Sequence, residues 1–231
     1  MDKKIKFFLD NFWEVLFSFP KTIWFNFRVL SFKNAIRLPF MVSWHIKLRG
    51  ISKKTFIVKE QKMRFASSRI GFGGSECGRN CSKSGEIVIS NGGKIILAGN
   101  CGLSKGVFIE SNNSEILLGK NFRCNYSSSI YCKDSSISFG NDVVLGWKVT
   151  IRNGDGHAVI VNGNKHEMSK PISIGNHVWI CSFVHILKGV KIGDDSVVAY
   201  GSIVTKGFDL TQVLIGGYPA KVLSNNTNWV E

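Results

Sequence analysis

Every sixth residue from Ile174 onward is aliphatic and β-branched: Ile174, Ile180, Ile186, Ile192, Val198 and Val204. Ile and Val supply 44 of the 231 residues, so six in one fixed register by chance is about a one-in-twenty-thousand event. Four positions after successive members come Val178, Val184, Val190, Ser196 and Ser202, all small or β-branched. Gly175 and Gly193 directly follow a ladder residue, and Gly140 and Gly146 hold the same place upstream. A period of six does not fit the 3.6-residue turn of a helix. A half-buried strand would instead place an apolar residue at every second position. One inward aliphatic per six, with a glycine where the backbone turns, describes a short strand and a corner, repeated. Three such units close one triangular coil, and stacked coils bury the aliphatic ladder inside a prism.

This hexad is the signature of a left-handed parallel β-helix, an exception to the usual right-handed crossover. Leu145 and Ile151 carry the register upstream, and Leu118, Cys124 and Ile130 form an earlier run offset by three. Before Leu118 the pattern loosens (Ile87–Ile89, Ile95–Leu97, Val107–Ile109). The expected fold is therefore mainly β, a left-handed parallel β-helix of hexapeptide repeats with an α-helical N-terminal segment. Its expected divisions are a helical segment over 1–50, a connecting segment over 51–83, the β-helix over 84–223 and a tail over 224–231.

Residues 1–50 hold 12 of the 27 aromatic residues, with nine basic and three acidic side chains. Phe8, Leu9, Phe12, Trp13, Leu16 and Phe17 fall along one helical face. Pro20 is expected to end that helix, and a second helical pattern runs from about Lys21 to Arg37, stopping before Pro39. Such an aromatic face packs on the protein's own body, packs on a neighbouring subunit, or lies in a membrane interface.

Composition narrows the class. At 44% hydrophobic and 20% charged the chain is an ordinary globular one. Thirty Lys and Arg against sixteen Asp and Glu give a net charge of +14, which favours an anionic partner such as a phosphorylated cofactor, an acidic glycan or a lipid headgroup. Nucleic acid shares that charge preference, but no recognition motif is present and none is expected as a partner. The six cysteines (Cys77, Cys81, Cys101, Cys124, Cys132, Cys181) show no C-x-x-C spacing and read as free thiols in a reducing compartment. The longest run without a charged residue, Pro171 to Leu187, is 17 residues and contains two histidines. No spanning helix or secretory leader is expected, so the address is cytoplasmic, with peripheral contact on the inner membrane face through residues 1–50 as an option.

Between Ile151 and Ile174 the ladder breaks over residues 152–170, a polar, glycine-rich stretch containing His157 and His166. A loop of that length inside a compact repeat is more often functional than decorative. His157, between Gly156 and Ala158, can project from the prism wall, and imidazole is suited to take a proton near neutral pH. Asp155 is placed either to orient that ring or to form a turn of its own.

These segments resemble the hexapeptide-repeat acyltransferases, especially the galactoside and maltose acetyltransferases and related polysaccharide O-acetyltransferases. The likeness is carried by IGNHVWICSFVHILKGVKIGDDSVVAYGSIVTK (174–206), GGYPAKVL (216–223), GHAV (156–159) and NFRCNY (121–126), and less specifically by FPKTIWFNFRV near the N-terminus. The resemblance implies that His157 deprotonates an acceptor hydroxyl that attacks acetyl-CoA, with Asn125 beside the acceptor and Trp179 walling the site. It places the backbone amide of Ser182 at the thioester oxygen, Tyr200, Thr205 and Lys206 along the pantetheine arm, and Lys221 near the adenosine phosphates. It further implies a homotrimer with sites between neighbouring prisms. Ala158 stands where the family often has proline, Cys181 where glycine is common, Tyr200 where a small residue is usual, and Gly207 where an acidic residue often follows the lysine.

The expected activity is O-acetylation of a sugar in surface-polysaccharide or lipid-linked glycan synthesis. Alternatives are N-acylation of a nucleotide amino-sugar, or a non-catalytic scaffold binding lipid or a glycan enzyme. Zinc catalysis on the same fold needs converging histidines; gaps of 9, 11 and 8 among His157, His166, His177 and His185 do not supply them, so no metal is expected. The D-I-H-P segment of serine acetyltransferases is absent.

Overall fold

The computed structural model describes residues 3–60, 62–73, 75–76, 79–80 and 83–230; Cys77 and Cys81 lie outside them. Three sheets with parallel stacking form the walls of a prism, visited in turn by each coil. The first wall stacks Phe40–Val42, Ser68–Ile70, Cys101–Leu103, Phe122–Cys124, Val144–Leu145, Trp179–Ile180, Val197–Val198 and Leu214–Gly217, and ends with antiparallel Ala220–Ser224. The second stacks Lys47–Arg49, Glu86–Ser90, Phe108–Asn112, Ser129–Lys133, Thr150–Arg152, His185–Ile186 and Ile203–Val204. The third stacks Phe56–Val58, Lys94–Leu97, Glu115–Leu118, Ser136–Phe139, Ile172–Ile174 and Lys191–Ile192.

The hexad residues lie where the period puts them. Ile180, Ile186, Val198 and Val204 are fully buried, and Ile174 and Ile192 are 2% exposed. On the second wall the inward row runs Ile87, Ile109, Ile130, Ile151, Ile186 and Val204, each paired with the next. The glycines beside the ladder are explained by coil spacing. A Cβ on Gly140 would lie 2.6 Å from Gly175 backbone, one on Gly175 2.2 Å from Asp194 Oδ1, and one on Gly193 2.3 Å from Leu210 O. Successive coils touch at this corner, and only hydrogen fits between them.

The stack reaches further toward the N-terminus than the hexad register does. Phe40–Val42, Lys47–Arg49, Phe56–Val58 and Ser68–Ile70 stack in register with one another or with the later coils, so the prism begins at residue 40 and not at 84. Their inward side chains include Phe40 and Phe56, which meet Phe25 edge to face at 5.4 and 5.3 Å and plug the prism's end. Aromatic filling and irregular corners remove the six-residue period, and with it the signal.

Helices α1 (Lys3–Asp10), α2 (Phe12–Val29) and α3 (Phe32–Ala35) cap that end. Pro20 does not end the helix; it sits within α2, on the exposed side. Tertiary hydrogen bonds hold the helix across it. Ser18, Thr22 and Asn26 are fully buried, and they serve as a partner for the open edge of the first strand. Asn26 Nδ2 donates to Phe40 O (2.8 Å) and its Oδ1 accepts from Phe40 N (3.2 Å); Thr22 Oγ1 accepts from Val42 N (3.0 Å), and Ser18 Oγ from Trp44 N (2.9 Å). Four helical residues rise about 6.0 Å and two strand residues about 6.6 Å, so the two spacings match closely enough for three successive contacts. The edge that would otherwise template aggregation is thereby satisfied.

Candidate active site

The sequence-expected loop at 152–170 is a β-ribbon arm. Ile160–Val161 pairs antiparallel with Asn164–Lys165 around Asn162-Gly163, both at positive φ (50° and 77°). Asn-Gly is a strong hairpin signal because both residues tolerate left-handed backbone. Lower down, Gly154 bridges Ser169, Asp155 N donates to Met168 O (2.8 Å) and His166 N to Val159 O (2.8 Å). The arm leaves the prism at the edge between the second and third walls.

His157 lies exposed on the outgoing leg of this arm. Asp155 does not orient it: the carboxylate is paired with Lys188 Nζ, which also donates to Glu167 O at 2.6 Å. Lys188 thus staples both legs of the arm to the next coil, and no hydrogen bond joins Asp155 to His157 among the described residues. At the arm's root a cavity of about 170 Å³ is lined by Glu110, Tyr131, Arg152, Asp155 and Gly156, among others. Arg152 Nε is held by Gly154 O at 2.8 Å. Thr205 and Lys206 lie exposed on the same edge, Lys206 Nζ 5.8 Å from the Phe208 ring centroid.

The remaining candidates gather on the first wall and its edge with the second. Asn125 is half-buried, and its backbone N–H donates to Leu145 O at 3.1 Å. Ser182 occupies the same edge two coils on; its Oγ accepts from Trp147 N at 3.0 Å. A Cβ on Gly146 would come within 2.6 Å of Ser182 N, so glycine there lets the two coils approach closely at this corner. Tyr200, on the next coil, is 68% exposed and packs against Phe183 at 5.2 Å. Lys148 Nζ sits 5.1 Å from the Phe183 ring centroid, giving the edge an aromatic and cationic surface. Trp179 projects outward from the first wall, 6.1 Å from Trp229. Lys221 is exposed in the final antiparallel strand.

One chain therefore groups His157, Thr205 and Lys206 on one edge of the second wall, and Asn125, Ser182 and Tyr200 on the other. His177 takes a structural place. His177 Nδ1 lies 2.9 Å from Asp195 Oδ1, its ring stacks on Trp229 at 4.4 Å, and its carbonyl accepts from Trp229 Nε1 at 2.9 Å. His166 and His185 are exposed. Among the described residues, no group of three or more His, Cys, Asp or Glu converges to hold a metal. Burial pushes the Cys101 thiol up to about 12 and Cys132 to about 11, and raises Cys124 and Cys181 as well, so none is poised as a thiolate. Among the described residues no helix is long and apolar enough to cross a membrane.

Residues 171–206 match the family model described as bacterial transferase hexapeptide (six repeats). The galactoside O-acetyltransferase of Escherichia coli (strain K12) is 40% identical over 115 residues, covering 49% of this chain and 55% of that protein. A putative acetyltransferase of Saccharomyces cerevisiae is 36% identical over 120 residues, covering 46% of this chain and 61% of that protein. The match thus spans little more than half the length of these relatives. Among solved structures, the polySia-specific acetyltransferase NeuO shares the fold over 84% of this chain and 79% of that one, with a TM-score of 0.58 at 19% identity. Residues 171–206 are a transferase hexapeptide segment, and the chain is a left-handed parallel β-helix that resembles the hexapeptide-repeat acyltransferases.

Proposed function

We propose that this protein is an acetyl-CoA-dependent O-acetyltransferase acting on a sugar hydroxyl of a surface polysaccharide or lipid-linked glycan. The observation that carries the proposal is the placement of His157, exposed on an arm that leaves the prism immediately before the transferase hexapeptide segment. The 40% identity to a galactoside O-acetyltransferase over 115 residues supports a sugar as acceptor.

The donor set suits the co-substrate. Exposed Lys221 matches the adenosine phosphates, Thr205 and Lys206 lie along the pantetheine arm, and Tyr200 with Phe183 offers aromatic surface along the coils. Bound acetyl-CoA would supply the acetyl group as a thioester. His157 takes the proton from the acceptor hydroxyl at its unprotonated ring nitrogen and returns it to the departing sulfur, so no acyl-enzyme forms. The Ser182 amide, at the corner between the first and second walls, donates to the oxygen on which charge develops. Asn125 and Trp179 orient the acceptor. Because these groups and His157 occupy opposite edges of one wall, the complete site forms between two copies, in a homotrimer. The exposed apolar face of α2 holds the enzyme on the inner membrane surface, near a lipid-linked acceptor.

The test is calorimetric titration with acetyl-CoA, followed by transfer of labelled acetyl to a galactoside. Saturable binding near one per subunit and a product ester cleaved by mild alkali are expected. Absence of binding at low and moderate salt would remove the transferase assignment, and an alkali-stable product would convert it to N-acylation.

A further inference from the structure

A further cavity lies outside the site built above. It has a volume of about 540 Å³ and opens on the first wall and its edge with the third. Its lining includes Arg64, Arg69 and Arg123, with Asn100 as a further donor and Asp142 as a carboxylate. Strand register explains how it forms. Arg69 pairs with Gly102, and Gly102 with Arg123, so all three project outward in one row. The missing side chain at Gly102 leaves an open floor between two guanidiniums whose Cα atoms are about 9.6 Å apart, two strand spacings.

The electrostatics are one-sided. Three guanidiniums face one carboxylate, and Asp142 acts on Arg123. Burial pulls the Arg69 and Arg123 guanidiniums down from their ordinary value, so they are partly stripped of water while still cationic. Partly desolvated arginine is the group best suited to bidentate capture of a planar oxyanion. Arg69 is also held in place: its guanidinium carbon lies 3.9 Å from the Phe7 ring centroid in α1.

Position ties this cavity to the acceptor. Arg123 lies in the strand Phe122–Cys124, two residues before Asn125 at the corner that follows, about 6.6 Å along the chain. The outward row continues from Arg123 through Val144 to Trp179, two further strands and about 9.6 Å on. A saccharide chain lying along the first wall can contact both regions.

We propose that the cavity lined by Arg64, Arg69 and Arg123 is a subsite for an anionic group, carboxylate or phosphate, carried by the glycan acceptor. It rests on the transferase proposal for the identity of the ligand as a glycan, and it makes that acceptor an acidic one.

The experiment measures binding to the full chain without acetyl-CoA, using oligogalacturonate, its carboxyl-reduced counterpart, and galactose 1-phosphate. Oligogalacturonate or galactose 1-phosphate is expected to bind at least about tenfold more tightly than the reduced oligomer, the preference falling with salt. The stronger of the two identifies carboxylate or phosphate as the group. Arg64→Gln and Arg123→Gln are each expected to weaken that binding by about tenfold or more. Gly102→Leu retains every arginine and fills the floor; its Cβ would meet Arg123 Cγ at 3.5 Å, an ordinary contact, so it is expected to fold and to lose the anion. Equal affinity for charged and reduced oligomers, or an undiminished affinity in Gly102→Leu, would overturn the subsite. Acetyl-CoA titration of the same samples judges the transferase proposal separately, since none of these residues is assigned to the coenzyme.

Discussion

His157 and Asp155 stand two residues apart on the arm, and their environments separate their roles. The Asp155 carboxylate is committed to Lys188, whereas the His157 ring is exposed and presented between two small neighbours. Loss of a positioned general base costs about 10²–10⁴-fold. His157→Ala is therefore expected to lower kcat by at least about 100-fold with the acetyl-CoA dissociation constant unchanged, measured by single-turnover transfer and calorimetry; near-normal turnover would remove the ring from the mechanism. Much of this placement was legible beforehand. The family resemblance singled out Asn125, Trp179 and Ser182, and the structure puts them at outward or corner positions of the first wall. The partner of Asp155 was not legible, because Lys188 is 33 residues away and meets it only once the coils stack. The Arg69–Gly102–Arg123 row was hidden for the same reason: it follows from strand register between coils, two of which lie where the pattern is loose. The arm's hairpin did have a local signal, Asn162-Gly163, between apolar and polar runs.

At the scale of one element, α2 turns a polar row inward and leaves most of its apolar residues outside. Its inward face carries Ser18, Thr22 and Asn26 beside Phe25 and Val29, and its outward face carries Phe12, Trp13, Leu16, Phe17, Ile23, Trp24 and Phe27, each at least 38% exposed. Periodicity located the apolar stripe but could not say which face turns inward. A strand edge needs hydrogen-bond partners more than it needs apolar cover, and that requirement decided the orientation. The same requirement overrode Pro20, whose lost hydrogen bond is on the solvent side. An exposed stripe of this size on a chain of net charge +14, with Lys6, Lys33 and Arg37 also exposed, is complementary to an anionic lipid surface. The chain is expected to sediment with phosphatidylglycerol-containing vesicles and far less with phosphatidylcholine alone. Trp13→Glu combined with Phe17→Glu should abolish sedimentation without lowering Tm appreciably, since both side chains are already solvated. Equal sedimentation of that variant would assign the stripe to another role.

The whole molecule presents its candidate groups on two edges separated by a full wall. The arm with His157 leaves between the second and third walls, while Asn125 and Ser182 stand between the first and second. A convex prism cannot bring both edges to one hydroxyl, but a second prism docked edge to edge can. Repeated with closed symmetry, such a heterologous contact produces a ring, and a triangular body suits a ring of three. Each site would then take His157 from one copy and Asn125 from the next, which gives a prediction no single-copy site shares. Co-expressed His157→Ala and Asn125→Ala chains, each nearly inactive alone, would form mixed assemblies. With random mixing at equal amounts, half the copies offer the native His157 and half the native Asn125, so about a quarter of the interfaces are intact in both. Turnover of the mixture is expected to recover to about a quarter of the wild-type value, with light scattering reporting the oligomer mass. Complementation at that level requires a shared site. Turnover no higher than the average of the two single variants would place His157 and Asn125 in one copy and leave the edge separation without a catalytic consequence.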